Sequence, residues 1–204
     1  MIASSEKVKE NIEIAPGIFK LTVKGYFQAK PGQFYMLKAW GRELILPRPI
    51  SIYDIDEQGI SFLYAAVGKG TKILSKLKED DEVKIMGPLG NGFEVENIKG
   101  KVAIIAGGIG IAPMNYLVKE LKECEIDLYA GFREFSYSLE GFEKYVNSVQ
   151  VSTETGNIGY KGFVTNLVKV EKYDLVICCG PEVMMKKVVD MCIKEKVEVY
   201  IHGK

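Results

Sequence analysis

The residues best placed for chemistry form a glycine cluster, Gly107-Gly108-Ile109-Gly110-Ile111-Ala112-Pro113, directly after the apolar run Val102–Ala106. A strand that turns sharply into a helix offers backbone N–H groups to a pyrophosphate, and glycines let the phosphate come close. Pro113 suits the first turn of a helix, where its missing N–H costs nothing. The spacing departs from the three-glycine dinucleotide fingerprint of the dehydrogenases, because Pro113 stands near where the third glycine would be. A tight turn with no ligand would use the same residues, so the loop alone leaves both readings open.

The other reactive side chains narrow the field. His202 is the only histidine, which excludes an internal Ser-His-Asp or Cys-His centre and any multi-histidine metal site. The cysteines are Cys124, Cys178, Cys179 and Cys192, with no C-x-x-C pair, so neither a zinc site nor a cluster is indicated. Buried free thiols are the expectation for three of them; Cys179 stands apart because Gly180-Pro181 follows it. Chemistry carried by a cofactor fits this inventory better than acid–base hydrolysis.

Lys and Arg total 27 and Asp and Glu total 27, so there is no electrostatic footprint of a nucleic-acid binder. The longest apolar stretch, Val102–Met114, is shorter than the roughly 20 residues a membrane span needs. The N-terminus shows no signal-peptide pattern. A cytoplasmic protein without membrane insertion is expected.

Two different periodicities position these residues. In the first half, Lys7–Ile14, Ile18–Gly25, Phe34–Trp40, Pro49–Ile55, Ile60–Val67 and Glu82–Met86 read as short strands broken by Pro16-Gly17, Pro31-Gly32 and Gly59, with one helical piece at Thr71–Lys78. That pattern predicts a small closed six-stranded antiparallel β-barrel. In the second half, the fully apolar run Val102–Ala106 predicts a strand buried on both faces. Leu128–Phe132, Val149–Thr153, Leu175–Cys179 and Glu198–Ile201 continue as strands, alternating with helices predicted at Ala112–Glu123, Ser136–Tyr145, Gly162–Val170 and Glu182–Lys194. This predicts a five-stranded parallel sheet with helices on both faces. The domains are expected at residues 1–98 and 99–204, divided at the polar segment Glu96–Lys101.

Three motifs in fixed order resemble the ferredoxin–NADP⁺ reductase-like flavoproteins: Arg48-Pro49-Ile50-Ser51-Ile52, the Gly107–Pro113 loop, and Cys179-Gly180-Pro181. Within that superfamily, the chain is similar to the electron-transfer subunits of NAD-linked dihydroorotate dehydrogenases. The similar stretches are Gly68-Lys69-Gly70-Thr71, Gly87-Pro88-Leu89-Gly90-Asn91-Gly92-Phe93 and Gly159-Tyr160-Lys161-Gly162-Phe163-Val164-Thr165. The cysteine-rich [2Fe–2S] segment with which that subgroup ends does not occur before the sequence stops at Lys204, so no cluster and no metal are expected from this chain. Ala65 also departs from the subgroup, whose members often carry a basic residue there.

The resemblance implies an FAD-dependent NAD(P)H oxidoreductase with FAD in the barrel and NAD(H) or NADP(H) in the second domain. Electrons would go to a redox partner protein such as a dihydroorotate dehydrogenase catalytic subunit, in pyrimidine biosynthesis. Arg48 would bind the FAD diphosphate in bidentate fashion, Pro49 would hold the chain extended, and Ser51 would face flavin N5. Ile50, Leu63, Tyr64, Ala65, Gly70 and Thr71 complete the implied flavin contacts, with Tyr64 either stacking on the cofactor or packing in the barrel. Gly107, Gly108, Gly110, Ala112 and Pro113 would take the dinucleotide diphosphate. Cys179, Gly180 and Pro181 would lie beside the nicotinamide. Arg133 could pair with a 2′-phosphate and Glu154 could repel one; both could equally be solvated loop charges. A stand-alone flavin reductase and a non-catalytic module of the same fold remain alternatives.

Overall fold

In the computed structural model, which describes residues 2–41 and 46–203, the short apolar runs of the first half all become strands. They are β1 (Ile2–Ala15), β2 (Ile18–Val23), β3 (Phe34–Lys38), β4 (Arg48–Asp56), β5 (Gly59–Ala65) and, after the helix α1 (Lys69–Leu74), β6 (Glu82–Leu89). They close into an antiparallel barrel in the order β1-β2-β5-β4-β3-β6. β1 is longer than its alternation predicts. Its first part pairs with β6, Ile2 opposite Gly87, and its second part pairs with β2, Val8 opposite Val23. Polar residues such as Ser4 and Ser5 hide this extension in the sequence. Leu21, Val23, Leu37, Ile52, Ile60 and Phe62 are fully buried, each contributing about 1.5–3 kcal/mol of transfer free energy.

The second half forms β7 (Gly100–Gly107), α2 (Ala112–Glu120), β8 (Cys124–Phe132), β9 (Ser148–Thr153), β10 (Tyr160–Lys161), β11 (Leu175–Cys179), α3 (Glu182–Glu195) and β12 (Glu198–His202). The strands order as β10-β9-β8-β7-β11-β12 and every pairing is parallel. Five strands match the expected ones, and the two-residue β10 adds a sixth at the edge.

Two predicted helices do not form. Ser136–Tyr145 yields only a 3₁₀ turn at Phe142–Lys144, because Ser138 (φ +57°) and Gly141 (φ +90°) leave helical space. Gly162–Val170 yields short 3₁₀ turns at Val164–Asn166 and Val170–Lys172, its β-branched residues being poor helix formers.

The topology still places helices on both faces. The β7–α2–β8 and β11–α3–β12 crossovers leave in opposite directions along the sheet, and right-handed connections then put α2 and α3 on different faces. α3 buries Val188 and Cys192 against Ala103, Ile105, Val176 and Cys178. The alternate residues Val102, Ile104 and Ile177 face the other way and are equally buried.

The chain divides into two compact units, Met1–Phe93 and Glu94–Lys204. The segment after Phe93 goes with the second unit: Ile98 is buried and its carbonyl accepts a hydrogen bond from Cys124 Sγ at 3.2 Å.

Candidate functional site

In the second unit, strand order reverses between β7 and β11. Open α/β sheets bind ligands at such a switch point, beyond the carboxyl ends of the strands. β7 runs directly into a 3₁₀ turn at Gly108–Ile111 and then into α2, with Pro113 in its first turn and no side chain capping it. β11 ends at Cys179, level with Ala106 of β7. The glycine loop and Cys179-Gly180-Pro181 are therefore brought together, and their backbones touch. A Cβ on Gly110 would overlap the Cys179 carbonyl oxygen and lie 2.9 Å from Gly180 Cα. A Cβ on Gly180 would lie 2.9 Å from the backbone N of Gly107. No residue with a side chain fits at Gly110 without moving backbone. This is a physical reason for those glycines that holds before any ligand is considered. Gly108 takes φ +53°, while Ala112 and Pro113 are buried at the head of α2.

Cys179 and Cys178 are both buried. Burial pushes the Cys178 thiol up to about 12, so it stays protonated and inert. Burial likewise raises Cys192.

Arg133 and Glu154 emerge from the ends of β8 and β9, at the same sheet edge. The Glu154 N–H donates to the Phe132 carbonyl at 3.2 Å, and the Thr155 N–H donates to the Arg133 carbonyl at 3.4 Å. Both side chains are exposed. Two neighbours of this region carried no readable signal. Met184, on α3, has its Sδ 2.7 Å from where a Gly107 Cβ would be. Tyr137 packs edge-on against Phe132, with centroids 4.9 Å apart, and its hydroxyl lies 3.8 Å from the Cβ position on Gly108. Burial raises its phenol to about 12.

In the first unit, Arg48 opens β4 and meets the start of α1. A Cβ on Gly70 would lie 2.9 Å from Arg48 Nε and 2.8 Å from Trp40 Cη2. The guanidinium carbon sits 5.5 Å from the centre of the Trp40 ring, within cation–π range. Arg48 Nη1 donates to the Leu46 carbonyl at 2.8 Å, which orients the guanidinium. Trp40 was not singled out in the sequence. It is buried, and its indole N–H has no hydrogen-bond acceptor among the described residues. The Thr71 hydroxyl turns back on Gly68, accepting its N–H at 3.0 Å and donating to its carbonyl at 3.1 Å. It therefore closes the helix start rather than facing outward.

The remaining flavin candidates separate by burial. Pro49 is exposed opposite Met36, Ile50 is buried opposite Tyr35, and Ser51 is half-buried opposite Phe34. Leu63 and Tyr64 are buried in β5, with Ala65 half-buried at its end. Tyr64 packs within the barrel. Its ring stacks on Phe19 at 6.0 Å and its hydroxyl bonds Asn11 Oδ1 at 3.2 Å, and burial raises its phenol. Among the described residues, no group of His, Cys, Asp and Glu is arranged to hold a metal ion.

No family model matches the chain. Curated relatives do. Over 196 residues it is 61% identical to the dihydroorotate dehydrogenase B (NAD(+)) electron transfer subunit of Clostridium acetobutylicum, covering 96% of this chain and 80% of the relative. The subunit of the same name from Clostridium perfringens is 47% identical over 199 residues, with the same coverage. Among solved structures, the NADH-dependent reduced ferredoxin-NADP oxidoreductase, described for flavin-based electron bifurcation, superposes with a TM-score of 0.86 at 26% identity. That match covers 98% of this chain and 76% of the other.

Proposed function

Because this chain belongs to the family of dihydroorotate dehydrogenase B electron transfer subunits, we propose that it takes electrons from NADH and passes them through bound FAD to a partner protein, the catalytic subunit of a dihydroorotate dehydrogenase. The observation that carries this is the meeting of the Gly107–Pro113 loop with Cys179-Gly180-Pro181 at the switch point of the parallel sheet. A dinucleotide is the ligand such a point accepts.

The first unit fits FAD. Arg48 stands over Gly70 beside the buried Trp40 ring, whose N–H has no acceptor among the described residues, and an anionic diphosphate would satisfy a guanidinium and such a donor together. Arg48 would hold that diphosphate, with the backbone of Gly70 and Thr71 close by. Ser51 would hydrogen-bond the flavin edge, and Ile50, Leu63, Tyr64 and Ala65 would line it through backbone and apolar surface. When bound, FAD supplies the exchange between two-electron and one-electron transfer.

The second unit would bind NADH through Gly107, Gly108 and Gly110, with Ala112 and Pro113 setting the helix behind them. Cys179, Gly180 and Pro181 would flank the nicotinamide and keep water from it. The protein's task is alignment of two rings at roughly 3–3.5 Å. No side-chain base is needed, in keeping with the lack of an internal histidine. Glu154 would disfavour a 2′-phosphate, so NADH is the proposed donor. Arg133, exposed beside it, would contact the adenosine end.

We also propose that this chain holds no [2Fe–2S] cluster. Cys178, Cys179 and Cys192 are buried in the sheet and α3, and none has a C-x-x-C neighbour. A cytoplasmic location is proposed on the same footing. Among the described residues no helix is long and apolar enough to cross a membrane.

The test is a visible spectrum of the purified protein before and after anaerobic NADH or NADPH. Flavin bands that bleach faster with NADH are expected. A colourless protein that ignores added FAD removes the proposal.

A further inference from the structure

Trp40 poses a problem in the chain by itself. Its buried indole N–H has no acceptor among the described residues; an unsatisfied donor of this kind costs about 1–3 kcal/mol and calls for an explanation. Here the orphan donor belongs to the residue that also supports Arg48. The guanidinium lies 5.5 Å from the ring centre, and Gly70 lies against both side chains. Cη2, the atom that would meet a Gly70 Cβ at 2.8 Å, shares one long edge of the indole with the N–H. Whatever brings an acceptor to that edge must also tolerate a guanidinium beside it. A cationic group does not, and an anion answers both donors most strongly, through charge-assisted hydrogen bonds.

We propose that Trp40 is a further cofactor-binding residue of the first unit. Its indole N–H donates a hydrogen bond to the diphosphate of FAD, next to Arg48, while its ring holds the guanidinium in place. This rests on the FAD reading above and extends it to a residue that reading does not require. Gly70 is small for the same reason, since a side chain there would push the tryptophan and the arginine away from the shared anion.

The chain contains a single tryptophan, so the residue reports on itself. Titrating deflavinated protein with FAD should quench Trp40 emission with the same midpoint as the change in flavin absorbance. Trp40→Phe keeps an aromatic face under Arg48 and deletes only the donor. It should weaken FAD binding about 10- to 100-fold, the range for a hydrogen bond to a charged acceptor. Riboflavin, which has no phosphate, should bind the wild type and Trp40→Phe with similar affinity. Unchanged FAD affinity in Trp40→Phe, or an equal loss for riboflavin, would overturn the proposal, the latter by showing that Trp40 only shapes the scaffold. If Trp40→Phe fails to fold, FAD binding without quenching in the wild type overturns it equally. Binding of neither flavin by the wild type would instead remove the FAD reading itself.

Discussion

Gly110 and Cys179 are in backbone contact: the Cβ position on Gly110 falls 2.6 Å from the carbonyl carbon of Cys179. One residue sits in the turn after β7 and the other ends β11, so this contact pins the glycine loop to the end of the neighbouring strand. The approach leaves the first N–H groups of α2 at the mouth of the switch point, with no side chain capping them.

Gly110→Ala should therefore be costly. The added methyl meets backbone rather than a flexible side chain, and overpacking of this kind costs about 1–3 kcal/mol. A lower melting temperature and at least tenfold slower NADH oxidation are expected, with flavin content unchanged because the proposed FAD site lies in the other unit. A variant with wild-type stability would show that the two loops are not in contact.

Arg48→Ala should lower the flavin-to-protein ratio after gel filtration. Loss of a charge-assisted hydrogen bond, about 1.5–3 kcal/mol, corresponds to roughly 10- to 100-fold weaker FAD binding. Arg48→Lys should recover only part of it, since a lysine keeps the charge but lacks the planar fork. Flavin retention equal to wild type would count against the assignment of Arg48.

Glu154→Gln should shift the donor preference toward NADPH. On the proposed placement of the dinucleotide, removing this exposed negative charge relieves repulsion of a 2′-phosphate, and in an exposed setting the effect is several-fold and diminishes with salt. The comparison is kcat/KM for NADPH over NADH, at low and high ionic strength. An unchanged ratio would leave Glu154 as a solvated loop charge.

The buried thiol of Cys178 links stability to alkaline pH. Its folded value is raised from 9.0 to about 12 by burial. The stabilisation is complete below pH about 9 and is lost as pH rises from there toward 12, where the unfolded chain ionises first. Melting temperature should fall over that window, on the order of 1.4 kcal/mol per pH unit for one such group. Cys178→Ala should flatten the slope while costing stability at neutral pH. At pH 8, thiol reagents should spare Cys178 and Cys192 in the native protein and label both after unfolding.

The sheet and the barrel could be read from the sequence because their cores are locally written. Val102–Ala106 has no polar residue and needs two covered faces. The first half alternates and breaks at Pro16-Gly17 and Gly59. The segment Ser136–Tyr145 misled because apolar spacing alone does not reveal that Ser138 and Gly141 adopt positive φ. At the site, the glycines were legible because close backbone approach leaves few alternatives. Trp40 was not, because its meaning depends on Arg48 and Gly70 arriving from other elements. Tyr64 was ambiguous for a related reason. Only the neighbours Phe19 and Asn11 decide that its ring and hydroxyl are already engaged.

The barrel closes by laying the start of β1 along β6, so that Ile2 faces Gly87. The start of β1 thus lies along the last strand of this half, an arrangement suited to circular permutation. The barrel is built as a removable cartridge: a short linker from residue 93 back to residue 2, with a new opening cut at the Glu57-Gln58 turn, should give a permuted barrel with the same strand order.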